Sequence, residues 1–598
     1  MKRFLPFLLL TIGVFATYAP AVRDGFVWDD TALILRDPLI RSPRLIGEGF
    51  QHFLFTDATA SNFYRPIQRL TYTLEYAAFG LRPAAYHLTS IFCHLGAAIA
   101  LLLFARELLR TCGTGERRRE IVALVSALIW AIHPIHTSAV VYISGRADPL
   151  AGLFGFVALY VGLLSLGASG RRLYCLTGSA TLLFGLSALS KESGLIFLAL
   201  WLALVVALQR RSAIRAAVVI AFVLVSYVSL RLPAEHVAPP PPHKLPLLVR
   251  PILVARAVAE YTGILVLPTN LRMERDVETH PSGFGKASIT GASLRELQNI
   301  AGILITAGYG YWLLRERKRD RAAFLALVLT AISYIPVSGI IPLNATVAEH
   351  WLYLPSAFLF LAATTSGARL VRAFPRLRLQ DFAVPALALW MAFLGARTLL
   401  RTFDWKDQRT FLERTIASGS DSARMFINLA LVELEEGHLE AAKQDVTTAL
   451  AKDPEQPIAV INRAAIAIRE NDFKTARELL ARAKEMPLVE ARSLEMFAVL
   501  EFKETGRSNV FRMRLASRSG AGDWEIEKRY VKLLAEMGGT DAAVEELRGC
   551  LQTQWYRAES WQLLAQLAAK SGQREQAIAA LERAHAYDVR LHERPSTL

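Results

Sequence analysis

Cysteine is scarce and dispersed in this chain. Of four in 598 residues, Cys93 and Cys175 lie in apolar segments, Cys112 in a basic loop and Cys550 alone in the polar C-terminal third. No two have the spacing of a disulfide framework or of a thiolate metal site, which excludes a small stapled scaffold and a cysteine-ligated zinc centre. Charge is sparse too, with 20% charged residues against 53% hydrophobic ones and a mean hydropathy of +0.30. That is too little polar surface for one soluble globule of this length. Although the formal net charge is +15, Arg and Lys form no single basic face. They fall in short clusters between apolar segments, which excludes a nucleic-acid surface and points to membrane topology. From about residue 402 the apolar runs stop and Glu, Lys, Arg and Ala dominate. The chain therefore reads as all-α, with a polytopic membrane domain over 1–401 and a soluble helical domain over 402–598.

Segments long enough to cross hydrocarbon fall at 4–21, 86–105, 121–137, 150–168, 173–190, 194–209, 213–232, 297–314, 322–343, 352–371 and 381–400, about eleven crossings. Met1-Lys-Arg ahead of the first reads as a retained anchor with an inner N-terminus, the alternative being a signal peptide cut after Ala21. A twelfth apolar stretch, 245–268, carries Arg250, Arg256 and Glu260. Counting it as a crossing would put the basic run 315–321 outside, so it reads as an interfacial or re-entrant helix whose basic residues face the site. The remaining basic clusters, at 106–119, 171–172, 210–215 and 369–378, then all lie inside. The short outer loops keep only Arg146 and Lys191. This asymmetry places the C-terminal domain outside, and it puts Asp29-Asp30, His133 to Asp148, Lys191-Glu192 and Glu349-His350 on one outer surface.

Asp29 and Asp30, just past the first apolar segment, are the strongest catalytic candidates. Carboxylates at a membrane boundary are costly to desolvate and are usually functional, although a helix N-cap before Thr31 would also use one. Acids beside cations on that surface suit transfer from a lipid-borne phosphate, a carboxylate serving the acceptor hydroxyl and Arg or Lys the departing phosphate. The outer segment 22–85 is too long for a turn. Its Leu70, Leu74, Ala77 and Ala78 recur at helical spacing with Arg69 and Glu75 opposite, which predicts a helix along the membrane surface. His133 and His136 flank Pro134 and have no clear third ligand, so no metal is expected. The proline run 239–242 reads as a stiff spacer, and Asn344-Ala-Thr346, a glycan-acceptor triplet, as an incidental turn.

The C-terminal third repeats. Asn428 and Asn462, Gly437 and Asn471, Ala442 and Ala476, and Ala449 and Ala483 are spaced by the period that returns in Gly538/Gly572, Ala543/Ala577 and Cys550/Ala584. That period, with small residues where paired helices touch, resembles tetratricopeptide repeats, about five of them with the third degenerate near Gly506.

A wider resemblance covers nearly the whole chain. Trp28-Asp-Asp, Tyr64-Arg-Pro, Tyr86-His-Leu, His133-Pro-Ile-His136, Gly145-Arg-Ala-Asp148, Lys191-Glu192 and Ala348-Glu-His-Trp-Leu-Tyr-Leu-Pro-Ser356, followed by repeats, resemble in order the transmembrane and tetratricopeptide-repeat O-mannosyltransferases of the C-type glycosyltransferase superfamily. The resemblance implies a polyprenyl-phosphate sugar donor, an acid of the first outer loop acting at the acceptor, and repeats that engage a protein substrate. Mapped here, it makes Asp29 the base with Asp30 assisting. Arg146, Lys191 and His350 become donor-phosphate candidates, joined by Arg65, His133, His136, Asp148, Glu192, Glu349 and Arg256 around the substrate. No cofactor is expected. An integral protein of a bacterial inner membrane, with its repeats outside, fits the Arg- and Ala-rich composition. One departure stands out: His136-Thr-Ser138 has serine where the family pattern leads one to expect an acid. A catalytically silent scaffold that recruits envelope or secreted proteins is therefore the alternative reading.

Overall fold

The computed structural model describes residues 4–56, 63–234, 249–275, 277, 286–340, 343, 346–374, 378–420, 422–486, 489–520 and 522–593. Lys2, Arg3, the proline run 239–242, Asn344 and Arg376 lie outside them. The described chain is almost entirely helical, its one strand pair being the two-residue antiparallel ladder Glu274–Arg275 with Val347–Ala348.

Among the described residues, seven helices are long and apolar enough to cross a membrane: Leu5–Arg23, Pro83–Thr111, Ile143–Leu166, Gly170–Ser190, Arg210–Ala234, Glu349–Ala373 and Leu379–Trp405. An eighth crossing, expected over 121–137, is broken. Glu116–Ala131 meets Pro134–Val140 at 50°, because Pro134 cannot donate to the helix before it and His133 caps the new turn by accepting from the Ile135 N–H. Glu192–Leu208 and Arg321–Val337 are shorter apolar helices, and 297–314 lies inside the 34-residue helix Lys286–Arg319. Arg250–Val266 is a separate helix packed on it. A Cβ on Gly302 would lie 1.8 Å from the Ala255 carbonyl oxygen, so only glycine permits that approach.

The basic clusters assigned to inner loops meet at one end of the bundle. Arg118 pairs with Asp320 at 2.8 Å and Arg106 with Glu120 at 2.7 Å. Arg369 pairs with Glu316, and Arg321 donates to the Ala207 carbonyl. The motifs assigned to the outer surface meet at the opposite end.

There, residues 24–56 and 63–80 form a compact layer of short turns around Arg69, which is 2% exposed. Its guanidinium donates to Asp37 and to the carbonyls of Gly49, His52, Phe53 and Leu54, gathering a segment that has little regular structure of its own. The helix Pro66–Phe79 turns its polar face inward. Gln68, Arg69, Thr73 and Glu75 are buried, whereas Leu74 and Phe79 are half exposed, the arrangement expected where the outer medium is lipid.

The repeat domain begins with Gln408–Ala417 and continues as five helix pairs, from Ala423–Glu436 with Leu439–Lys452 to Ala558–Lys570 with Arg574–Tyr587. Each pair turns on one residue in left-handed backbone: Gly437, Asn471, Gly506, Gly538 and Gly572. Ala442, Ala449, Ala476 and Ala483 are fully buried between helices, where a larger side chain would force the pairs apart.

Candidate functional site

Asp29 and Asp30 have opposite surroundings. Asp30 is fully buried; one carboxyl oxygen accepts from both the N–H and the hydroxyl of Ser144, the other from the Val27 N–H. Burial pushes its pKa up to about 7, with those hydrogen bonds and the Asp29 charge as smaller influences. It is a structural acid that ties the first outer loop to the Gly145 motif. Asp29 is half-buried, and its N–H donates to the Tyr142 hydroxyl at 3.2 Å. Its neighbour Trp28 has a left-handed φ of 53°, a conformation costly for an aromatic residue and typical of sites where the backbone is held for function. Its restraint comes from the repeat domain. The Trp28 N–H donates to Gln408 at 2.6 Å, and its indole packs edge-on against Phe411. Tyr142 stacks on Trp405, and Trp405 on Phe411. Asp29 thus sits at a seam closed by the outer loop, Tyr142 and the first helix after the last span.

Ser144, Arg146 and Asp148 alternate along one segment and each takes a partner from another element. Ser144 holds Asp30. Arg146, fully buried, donates to Glu75 at 2.5 Å, to the Thr71 and Ser90 hydroxyls and to the Tyr86 carbonyl, and lies over the Tyr72 ring. Asp148 takes both of its bonds from Lys191 Nζ at 2.7 Å. Arg146, expected to face the donor phosphate, is instead spent on the fold, since a buried guanidinium committed to four neighbours has little left for a ligand.

The second corner of the outer end holds the remaining cations. Arg65 donates to Glu192 at 3.0 Å, and Glu192 also accepts the Tyr64 N–H. Lys191 is 14% exposed on its side chain, and its pKa is lowered by burial against the opposing pull of Asp148. His350 lies within electrostatic range of Lys191 and Arg65. Arg65, Asp148, Lys191, Glu192 and His350 are thus brought together. Glu349, fully buried, turns the other way, accepting the Arg272 N–H and facing Arg401 at 3.9 Å. Arg401, 1% exposed and paired with Asp404 at 2.8 Å, was not singled out from the sequence, nor were Tyr142 and Trp405. The available signal was weak: a cation at the end of the last span with an acid three residues on.

His133 has a structural role, with Nε2 3.0 Å from the Leu265 carbonyl oxygen and its ring stacked on Phe360. His136 is buried against Trp130, Tyr353 and His94, and neither ring nitrogen meets a hydrogen-bond partner among the described residues. Ser138, at the position where an acid was expected, is equally buried, its hydroxyl unpartnered among the described residues. Arg256 corrects the expectation that the 245–268 helix aims its cations at the site. It bonds Asn299, Glu296 and the Val277 carbonyl, because that helix packs on Lys286–Arg319 rather than on the outer motifs. Among the described residues, the group with metal-ligand spacing is Glu433, Glu436 and His438 in the first repeat. Arg409 sits within it as a salt-bridge partner of both acids.

No family model matches the chain. Over 466 residues it is 24% identical to a protein O-mannosyl-transferase of Caenorhabditis elegans, covering 75% of this chain and 62% of that protein. Over 472 residues it is 22% identical to protein O-mannosyl-transferase TMTC3 of Mus musculus, covering 73% and 50%. A shorter stretch of 161 residues is 30% identical to protein O-mannosyl-transferase TMTC1 of Mus musculus, 26% of this chain and 16% of that one. The chain therefore spans about half to three fifths of the length of the first two relatives. Among solved structures, the repeat protein YrrB, described as having an unusual peptide-binding site, overlaps 30% of this chain and 94% of its own at 18% identity and a TM-score of 0.21. Yeast Tom70 overlaps 80% and 91% at 13% identity and a TM-score of 0.25. Motif order, membrane helices, the repeat domain and these sequence matches agree, and the chain is a homologue of the transmembrane and tetratricopeptide-repeat protein O-mannosyl-transferases.

Proposed function

We propose that the protein is an integral-membrane glycosyltransferase that moves a sugar, mannose by kinship, from a polyprenyl-phosphate donor to a hydroxyl of a protein acceptor on the outer face. The acceptor oxygen attacks the anomeric carbon, the bond from that carbon to the phosphate oxygen breaks, and the phosphate leaves on its lipid. Asp29 takes the hydroxyl proton. Lys191, Arg65 and His350 bind the phosphate as its charge grows. The observation that carries this reading is the position of Asp29, a half-buried carboxylate at the seam with the repeats, on the same end of the bundle as those cations.

Transfer from a radiolabelled polyprenyl-phosphate mannose to protein by the purified chain in nanodiscs tests it. Failure with every polyprenyl-phosphate sugar tried would favour the silent scaffold, the reading supported by the buried Ser138. The orientation is part of the proposal: a reporter fused after Leu598 is active in the bacterial periplasm, and one inserted in 315–321 is active in the cytoplasm. The reverse result would separate the repeats from the outer compartment.

A further inference from the structure

The segment 137–146 meets the two adjacent acids with two residues of its own. Ser144 gives its N–H and its hydroxyl to Asp30, which is fully buried. Two positions earlier Tyr142, 4% exposed, turns its hydroxyl to Asp29. That hydroxyl accepts the Asp29 N–H at 3.2 Å and is within hydrogen-bonding reach of the Asp29 carboxylate as well. Burial first, and then the charges of Asp29 and Asp30, raise the phenol well above its ordinary range and keep it protonated. A phenol that keeps its proton and already accepts one hydrogen bond has a single O–H left to give, and the carboxylate beside it is the acceptor.

The ring is fixed from its other side by the chain that follows the last span. Tyr142 stacks on Trp405 with ring centroids 5.4 Å apart, and Trp405, 1% exposed, stacks on Phe411 at 4.6 Å. Phe411 in turn meets the indole of Trp28 edge-on at 5.7 Å, and Gln408 takes the Trp28 N–H. Asp29 is therefore held twice, through its own backbone by Trp28 and through Tyr142. A column of rings packed at interior density has no room to turn, so the hydroxyl at its end keeps one position. Phenylalanine at position 142 would make the same stack, which means that packing alone does not call for the hydroxyl.

We propose that Tyr142 is a positioning residue for the base: its hydroxyl fixes one oxygen of the Asp29 carboxylate and leaves the other turned to the acceptor hydroxyl. The acceptor proton passes to that second oxygen, and Tyr142 keeps its own. Asp30 offers no such oxygen, because Ser144 and Val27 occupy both. The first helix after the last span thus sets the geometry of the acid as well as leading into the repeats. This deepens the proposed function, on which the role of Asp29 as base rests.

The test uses the full chain in nanodiscs and the variant Tyr142→Phe, which keeps the ring and its stack. With polyprenyl-phosphate mannose and an acceptor protein, kcat should fall about tenfold while both KM values stay within about twofold, the pattern of a group lost from the transition state. The unfolding midpoint should hardly move. The acid limb of the kcat profile should rise by about one pH unit, because a donor to the ionised carboxylate favours its charged form. Asp30, and Asp24 with Asp407 and Lys406 beside it, titrate near pH 7 themselves, so the shift is assigned at Asp29 directly. A water-soluble carbodiimide with glycine ethyl ester couples to protonated carboxyls, and fragment-ion mass spectrometry reads Asp29 apart from Asp30 and Asp24. The labelling midpoint of Asp29 should rise by about one unit in Tyr142→Phe, and that of Asp24 should stay in place. An unchanged kcat, a fall accounted for by a lowered unfolding midpoint, or an unmoved labelling midpoint at Asp29 would each overturn the proposal. Labelling needs no substrate: a chain that transfers no sugar from any donor yet shows the shift would sink the transferase reading and leave the hold of Tyr142 on Asp29 standing.

Discussion

The two corners of the outer end are built from different materials. Around Lys191 every charge is answered: Asp148 takes the ammonium, Glu192 takes Arg65, and both pairs are largely buried. Around Asp29 the neighbours are aromatic, its N–H donates to the Tyr142 hydroxyl, and its carboxylate is half-buried beside the repeats. Paired cations exchange partners at modest cost when a phosphate arrives, because the ligand replaces an existing carboxylate contact. A base needs instead a carboxylate within reach of the acceptor hydroxyl, at the face where that acceptor arrives. The contrast divides the proposed labour between a donor corner and an acceptor corner.

The sharpest way to break that division is at the two adjacent acids. Asp29→Asn should lower transfer by about a hundredfold to ten-thousandfold with the thermal midpoint nearly unchanged, whereas Asp30→Ala should leave the Ser144 and Val27 donors unpaired and cost about 1–3 kcal/mol of stability. Equal effects of both on transfer, at equal stability, would dissolve the distinction. Next in size is Arg146→Gln, which strands Glu75 in the interior. A loss of about 3–5 kcal/mol, read as poor yield and a lowered unfolding midpoint, is expected, so a well-folded variant with a selective donor defect would return Arg146 to the site.

Lys191→Gln removes one cation from a pair that is not fully enclosed. Donor KM should rise about tenfold while the midpoint moves little, since a hydrogen bond to an ionised phosphate is roughly twice as strong as a neutral one. An unchanged KM would move the phosphate towards Arg401 and Arg272. The smallest effect expected is one of pH. Asp24 is raised to about 7, chiefly by burial and secondarily by Asp407, and Asp30 to about 7 by burial. Both favour the protonated form in the folded state, so their stabilisation is complete below the ordinary carboxylate range near 4 and is lost as pH climbs through about 7. The unfolding midpoint should fall across that upper limit, and Asp24→Asn should flatten the slope.

Much of this architecture is legible in order along the chain. Apolar runs of membrane length predict the spans because hydrocarbon thickness sets their size. Gly437, Asn471, Gly538 and Gly572 announce the helix pairs because the turn between them needs left-handed backbone. The basic clusters that contact one another at one end of the bundle are separable by charge from the motifs at the other end. Burial is the part that did not show. Arg146 and Lys191 look alike in sequence, each a lone cation in a short loop, yet the first is fully enclosed and the second lies at a margin. Arg69 and Glu75, opposite an apolar stripe, read as the wet face of a surface helix. They are buried because they face polar protein, Arg69 reaching Asp37 and the carbonyls of 49–54 and Glu75 pairing with Arg146, while Leu74 and Phe79 lie on the exposed side.

Composition, spacing and motif order thus determined on their own that this is a helical membrane protein carrying repeats. Those properties depend on solvent, period and charge, which act locally along the chain. Tertiary structure alone decided which of two adjacent aspartates is enclosed, that Trp28 is held by Gln408 across 380 residues, and that Tyr76 meets Asp588 across 512. Such contacts arise from how helices close on one another, and a single sequence holds no periodicity that pairs residues so far apart.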